Sequence, residues 1–168
     1  MIDNRKRITY DQILKFLSIL GLVCSFYPLF FYGNISDDTL IPIHYNRLGE
    51  VDGWGNRHFF WIISLIVIAI YIGISIVEKY PNKINYPVKV TAENKETIHK
   101  IGVQLVRHIK FVLMFVFAYI NYSTYNIAVG KSTGLNKIIM AAFIVGLFFV
   151  LFFFTLKMFK HRKKTFSK

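Results

Sequence analysis

His44, Asn46, Glu50, Asp52 and His58 lie close together in the chain. Imidazole and carboxylate are good ligands for zinc and its neighbours, so the cluster raises a divalent-cation site. The spacing is not that of the regularly placed Cys and His of structural zinc sites, and Asn is a poor ligand. The better reading is a folded loop in which His44 hydrogen-bonds to Asp52 or to carbonyls, with contact to a ligand or peptide as the alternative. No metal and no other cofactor is expected. His44 with Asp52 could orient a general base, but catalysis also needs a nucleophile, paired acids or an open metal position. No Gly-x-Ser-x-Gly, His-Glu-x-x-His or phosphate-cradling glycine motif accompanies the pair. The chain is therefore not expected to be an enzyme, with a metal-dependent membrane enzyme kept as the remote alternative.

The elements that must position this cluster are apolar and long. Of the 168 residues, 54% are hydrophobic, 17% aromatic and 18% charged, against a charged share of about 25% in ordinary soluble domains. The charges gather between uninterrupted apolar runs, which is the pattern of a polytopic membrane protein. Four runs are long enough to span: 13–32, 59–77, 111–129 and 138–159. The expected fold is all-α, one integral membrane domain over 1–168 built as a bundle of four transmembrane helices. Pro28 should kink the outer end of the first. The run is too long for a signal core and lacks a small-residue cleavage site, so it reads as a retained helix.

Orientation follows from Lys and Arg in the short flanks. Arg5, Lys6 and Arg7 precede the first span, seven Lys and Arg from Lys79 to Lys110 fill the second connection, and Lys160, Arg162, Lys163, Lys164 and Lys168 form the tail. All three flanks read as cytoplasmic, placing both termini inside and the loop between spans one and two outside. The net charge of +12 is thereby explained by topology and by membrane lipids as partners, not by nucleic acid. Cys24 is the single cysteine, so no intrachain disulfide forms.

In the second connection, Thr91 is a candidate cap for an amphipathic helix that carries Ile98, Ile101, Leu105 and Ile109 on one stripe and runs into the third span as its cytoplasmic extension. Gly102 is a candidate bend. Asn121, near mid-depth of the third span, reads as an interhelical hydrogen-bonding group in preference to part of an ion pathway. Gly21 with Ser25, Ala69 with Gly73 and Ala142 with Gly146 read as close-packing pairs inside the bundle, with homodimerisation the lesser use. The oligomeric state is left open. Ionisable groups are almost absent from the spans, which argues against a transporter or channel.

The first outside loop is dense in special residues. Pro42 favours extended backbone before it, Asn46 and Asp52 are turn formers, and Gly49, Gly53 and Gly55 allow angles that other residues resist. Trp54 is suited to plugging such a loop against the bilayer surface or the helix ends. Pro42, His44, Tyr45, Asn46, Gly49, Asp52, Trp54 and Gly55 stand in the order Pro-x-His-Tyr-Asn-x-x-Gly-x-x-Asp-x-Trp-Gly. This pattern resembles the bacterial membrane domain of unknown function found at the N-terminus of SdpI-like immunity proteins, with a family-like module over about residues 12–95. The resemblance implies a bacterial inner-membrane location and a role in immunity to, or sensing of, a membrane-active toxic peptide through the outer loop. A structural or assembly role beside another membrane protein is the alternative. Against the longer family members, this chain ends two spans after the module.

Overall fold

The computed structural model describes residues 4–162, with side chains from Tyr10 onward. Lys163 to Lys168 of the basic tail lie outside the described residues, as do the side chains of Arg5, Lys6 and Arg7. From the N-terminus the chain forms α1 (Asn4–Ser25), a short helix α2 (Tyr27–Phe30), antiparallel strands β1 (Leu40–Tyr45) and β2 (Val51–Asn56), and three long helices, α3 (Phe59–Lys79), α4 (Lys95–Ala128) and α5 (Lys137–Lys160). The last three are long and apolar enough to cross a membrane. The 21 residues of α3 rise about 31 Å at 1.5 Å each, matching a hydrocarbon core of about 30 Å.

α3 and α5 each bury a narrow stripe and turn large apolar side chains outward. On α3 the buried residues are Phe60, Ser64 and Val67, while Ile62, Leu65, Ile66 and Ile72 are exposed. On α5 only Phe154 and Met158 are buried, and Val145, Phe148, Phe149 and Phe152 are exposed. Exposed apolar surface of this extent is stable against lipid or a partner and not against water.

α4 is the axis of the bundle, with α1, α3, α5 and β1 all packed on it. α1 meets it through Leu14, Ser18, Gly21 and Ser25, one face at helical spacing. A Cβ on Gly21 would lie 3.0 Å from the Met114 Cβ and 3.2 Å from its backbone carbon, so glycine sets how closely these helices approach. The other two small-residue pairs do not serve the interior. Ala69, Gly73 and Ala142 are exposed, and a Cβ on Gly73 or Gly146 would meet nothing within 4 Å.

Several expectations are corrected. The first helix does not run to residue 32 with a kink; it stops at Ser25, because Pro28 has no N–H to give to the Cys24 carbonyl and its ring crowds that position. Pro28 instead sits in the first turn of α2, where no donor is needed. The chain is mostly helical but not all-α, since the loop folds as a two-stranded hairpin. Asn94, not Thr91, stands before the first turn of α4, and it reaches backwards, accepting from the Thr91 N–H at 2.7 Å and donating to the Lys89 carbonyl at 3.1 Å. Gly102 makes no break in α4; the Tyr86 ring lies over it, 2.5 Å from where a Cβ would stand.

Two apolar cores occupy opposite ends of the bundle. Under the hairpin, Ile35, Ile41, Phe60 and Tyr125 pack together. At the other end Val88 meets Ile98, Ile101, Phe154 and Met158, so the first half of the amphipathic stripe is buried against neighbouring elements.

Candidate functional site

The hairpin pairs Leu40 with Asn56, Ile41 with Gly55, Pro42 with Trp54, His44 with Gly53 and Tyr45 with Val51. The register slips on either side of His44. Such slips re-aim side chains, and here they lay Ile43 and His44 over the two glycines of β2. A Cβ on Gly53 would fall 2.9 Å from the His44 Cβ, and one on Gly55 would fall 2.9 Å from both the Ile43 Cγ2 and the Phe59 Cδ2.

The tip is organised by Asn46. Its side-chain oxygen accepts from the N–H groups of Leu48 at 2.8 Å and Glu50 at 3.1 Å, and its amide donates to the Glu50 carboxylate at 2.9 Å. Gly49 adopts φ 77°, the left-handed region that favours glycine. From there the tip is fastened to the α4–α5 connection, with the Leu135 N–H donating to the Gly49 carbonyl at 2.8 Å and Gly134 bridging Glu50. Tyr45 fastens the hairpin to α4: its hydroxyl shares a 2.7 Å hydrogen bond with Thr124. Burial pushes the Tyr45 phenol above its usual pKa, with the Thr124 bond acting in the opposite direction.

Ile41 and Pro42 are buried beneath the hairpin. Its other face is open. The His44 Nδ1–H donates to the Asp52 carboxylate at 2.5 Å, with the two side chains 71% and 42% exposed. Trp54 is 50% exposed, as is Leu48 at 55%, so the tryptophan does not plug the loop against the helix ends. Ile35, Ile41 and Phe60 fill that space instead. The candidate metal cluster is divided into separate pairs: His44 with Asp52, Asn46 with Glu50, and His58 with the Tyr32 hydroxyl at 2.9 Å. Among the described residues, no three His, Cys, Asp or Glu gather as a metal site.

No family model, curated protein or solved structure matches this chain. The function must therefore be argued from its own side chains.

Asn121 stands level with the end of α1, one turn from Thr124. Its amide donates at 2.7 Å to the Ser25 carbonyl, which the helix stop leaves without an intrahelical donor. Its own carbonyl oxygen is buried with no partner among the described residues.

Sequence reasoning missed a second constellation at the far end of the bundle. Glu78, at the end of α3, accepts from Arg107 Nε at 2.6 Å and from Lys110 Nζ at 2.7 Å. Arg107 also reaches Asp11 on α1 at 2.6 Å, and Lys110 donates to the Ser75 hydroxyl at 3.2 Å. Lys110 is buried, and the side chains of Glu78 and Arg107 are 9% and 16% exposed. Counted only as topogenic charges, Arg107 and Lys110 instead join three helices. The available signal was their three-residue spacing, which places both on one face of α4 toward the lone acid ending α3.

Proposed function

We propose that the chain is a non-enzymatic four-span protein of the bacterial inner membrane, with both termini cytoplasmic, whose hairpin binds a membrane-active peptide at the cell surface in the manner of SdpI-like immunity proteins. α1 supplies the fourth span: it turns Phe16, Ile19, Leu20 and Val23 outward, continuing the apolar surface of the other helices. The flanking Lys and Arg give the orientation.

The observation that carries the reading is the division of labour across the hairpin. Its buried side and tip are fixed by Ile41, Tyr45, Asn46 and Gly49, while exposed side chains include Trp54 and, two residues earlier on the same face of β2, Asp52, which is bonded to the exposed His44. A surface ion pair of this kind contributes only about 0–1 kcal/mol to folding, so its placement is not accounted for by stability. An exposed tryptophan next to directional polar groups on rigid strands has the composition of a binding hot spot. The test is protection of a sensitive host. Cells carrying the wild-type chain should survive higher doses of at least one synthetic amphipathic peptide from a panel, and Trp54→Ala should abolish the protection at unchanged membrane abundance. Protection by neither chain, or by both equally, sinks the reading.

A second reading, as an assembly partner, is favoured by the fastening of Tyr45 and Gly49 to α4 and to the α4–α5 connection, which makes the hairpin a cap on the bundle. It predicts co-purification of one membrane protein in stoichiometric amount, unaffected by Trp54→Ala.

A further inference from the structure

At the end opposite the hairpin, a cavity of about 1010 Å³ lies between the first turns of α4, the last turn of α5 and Asp11 of α1. Four cations line it, Lys95, Lys100, Arg107 and Lys157, against two carboxylates. Both carboxylates are already engaged: Asp11 with Arg107 at 2.6 Å and Glu96 with Lys100 at 2.5 Å. Lys95 and Lys157 pair with no carboxylate among the described residues, so the described lining of the chamber carries more positive than negative charge. An anion is the complement, and the imbalance is local, since Arg107 also serves Glu78.

A smaller cavity of about 330 Å³ adjoins the first, and Gln104 and Lys157 line both. Its walls are aromatic: Tyr10 from α1, His108 from α4, and Phe149, Phe153 and Phe154 from α5. Tyr10 and His108 share a 2.7 Å hydrogen bond across it, and the His108 and Phe154 rings stand 4.8 Å apart. Phe149 and Phe153 are exposed, so this groove lies on the surface that α5 turns toward lipid. Lys157 marks the junction. Its Nζ donates to the Gln104 side-chain oxygen at 3.2 Å and lies 5.6 Å from the Phe154 ring centre, an aliphatic stem along the groove with a charged head at the chamber.

We propose that the two cavities form one amphipathic site for an anionic phospholipid, its phosphate held by Lys95 and Lys157 and an acyl chain lying along Phe149 and Phe153. A free phosphate would satisfy the lysines but leave most of the chamber unfilled and give the aromatic groove no role. Basic pockets beside membrane helices select anionic headgroups by the same charge complementarity. The inference rests on the membrane-spanning reading of the helices and not on peptide binding by the hairpin.

The experiment is thermal unfolding of the full chain in mild detergent with added dioleoylphosphatidylglycerol, dioleoylphosphatidylcholine or inorganic phosphate, beside the double variant Lys95→Gln, Lys157→Gln. The wild type should rise in Tm with phosphatidylglycerol and not with the other two. The double variant, altered at side chains outside the buried network, should match the wild type without lipid and lose more than half of that rise. Equal rises with both lipids, or an undiminished rise in the double variant, would overturn the site, and a full rise with phosphate alone would make it an ion site and overturn the lipid assignment. Carbonate extraction of the same membranes checks the underlying reading separately. Released protein overturns the spanning reading, whereas retained protein without lipid preference overturns the lipid site alone.

Discussion

The two ends of the bundle hold α4 by opposite means. At the hairpin end the fastenings are neutral: Tyr45 to Thr124, Asn121 to the Ser25 carbonyl, and the Gly49 carbonyl to Leu135. At the far end they are ionic, with Glu78 bonded to both Arg107 and Lys110. The difference is one of tolerance. A neutral hydrogen bond removed from a partly buried site costs about 1–2 kcal/mol, whereas removing one member of a buried ion network leaves its partners charged, unpaired and desolvated. The ionic end is thus the less forgiving anchor, and at the hairpin end exposed side chains such as Trp54 and His44 take no part in the fastening.

The largest effect should follow from Glu78→Ala, which strands the buried Lys110 and leaves Arg107 with Asp11 as its remaining carboxylate. The expected loss is about 3–5 kcal/mol, read as lowered abundance in membranes and early unfolding in detergent. A variant as stable as the wild type would erase the contrast between the two ends. Next comes Gly134→Ala, whose new Cβ would fall 2.7 Å from the Gly49 carbonyl oxygen, a backbone atom that cannot swing aside. Separating the hairpin tip from the α4–α5 connection should cost about 1–3 kcal/mol, and increased proteolysis between Asn46 and Glu50 would report it. Smaller again is Tyr45→Phe, which leaves the buried Thr124 hydroxyl without its partner; about 1–2 kcal/mol should be lost, and Tyr45→Phe combined with Thr124→Val should recover part of it. No recovery in the double variant would show that the bond is not what fastens the hairpin.

The sequence disclosed most about the long helices, because α3 and α5 keep apolar side chains on nearly every exposed position and uncharged runs such as 59–77 are legible without any tertiary contact. It disclosed the hairpin only as a special loop. Pro42, the two glycines of β2 and the register slips around His44 remove the alternation by which a strand is ordinarily recognised. Asn46 and Gly49 were legible as turn formers because their chemistry acts within a few residues. The ion network was not, since Arg107 and Lys110 meet Glu78 across 29 and 32 residues, and basic residues beside an apolar run already had a sufficient explanation in topology. The Pro28 stop shows the same limit in reverse: the proline was visible, but the Asn121 amide that meets the freed Ser25 carbonyl comes from a helix 96 residues away.

The most direct test of the division of labour is the thermal unfolding midpoint of His44→Ala beside the wild type in the same detergent. The account predicts midpoints within about 4 °C of each other, because an exposed pair contributes at most about 1 kcal/mol. A fall of about 8 °C or more would make His44 a clasp that holds the hairpin closed and contradict its assignment to the binding face.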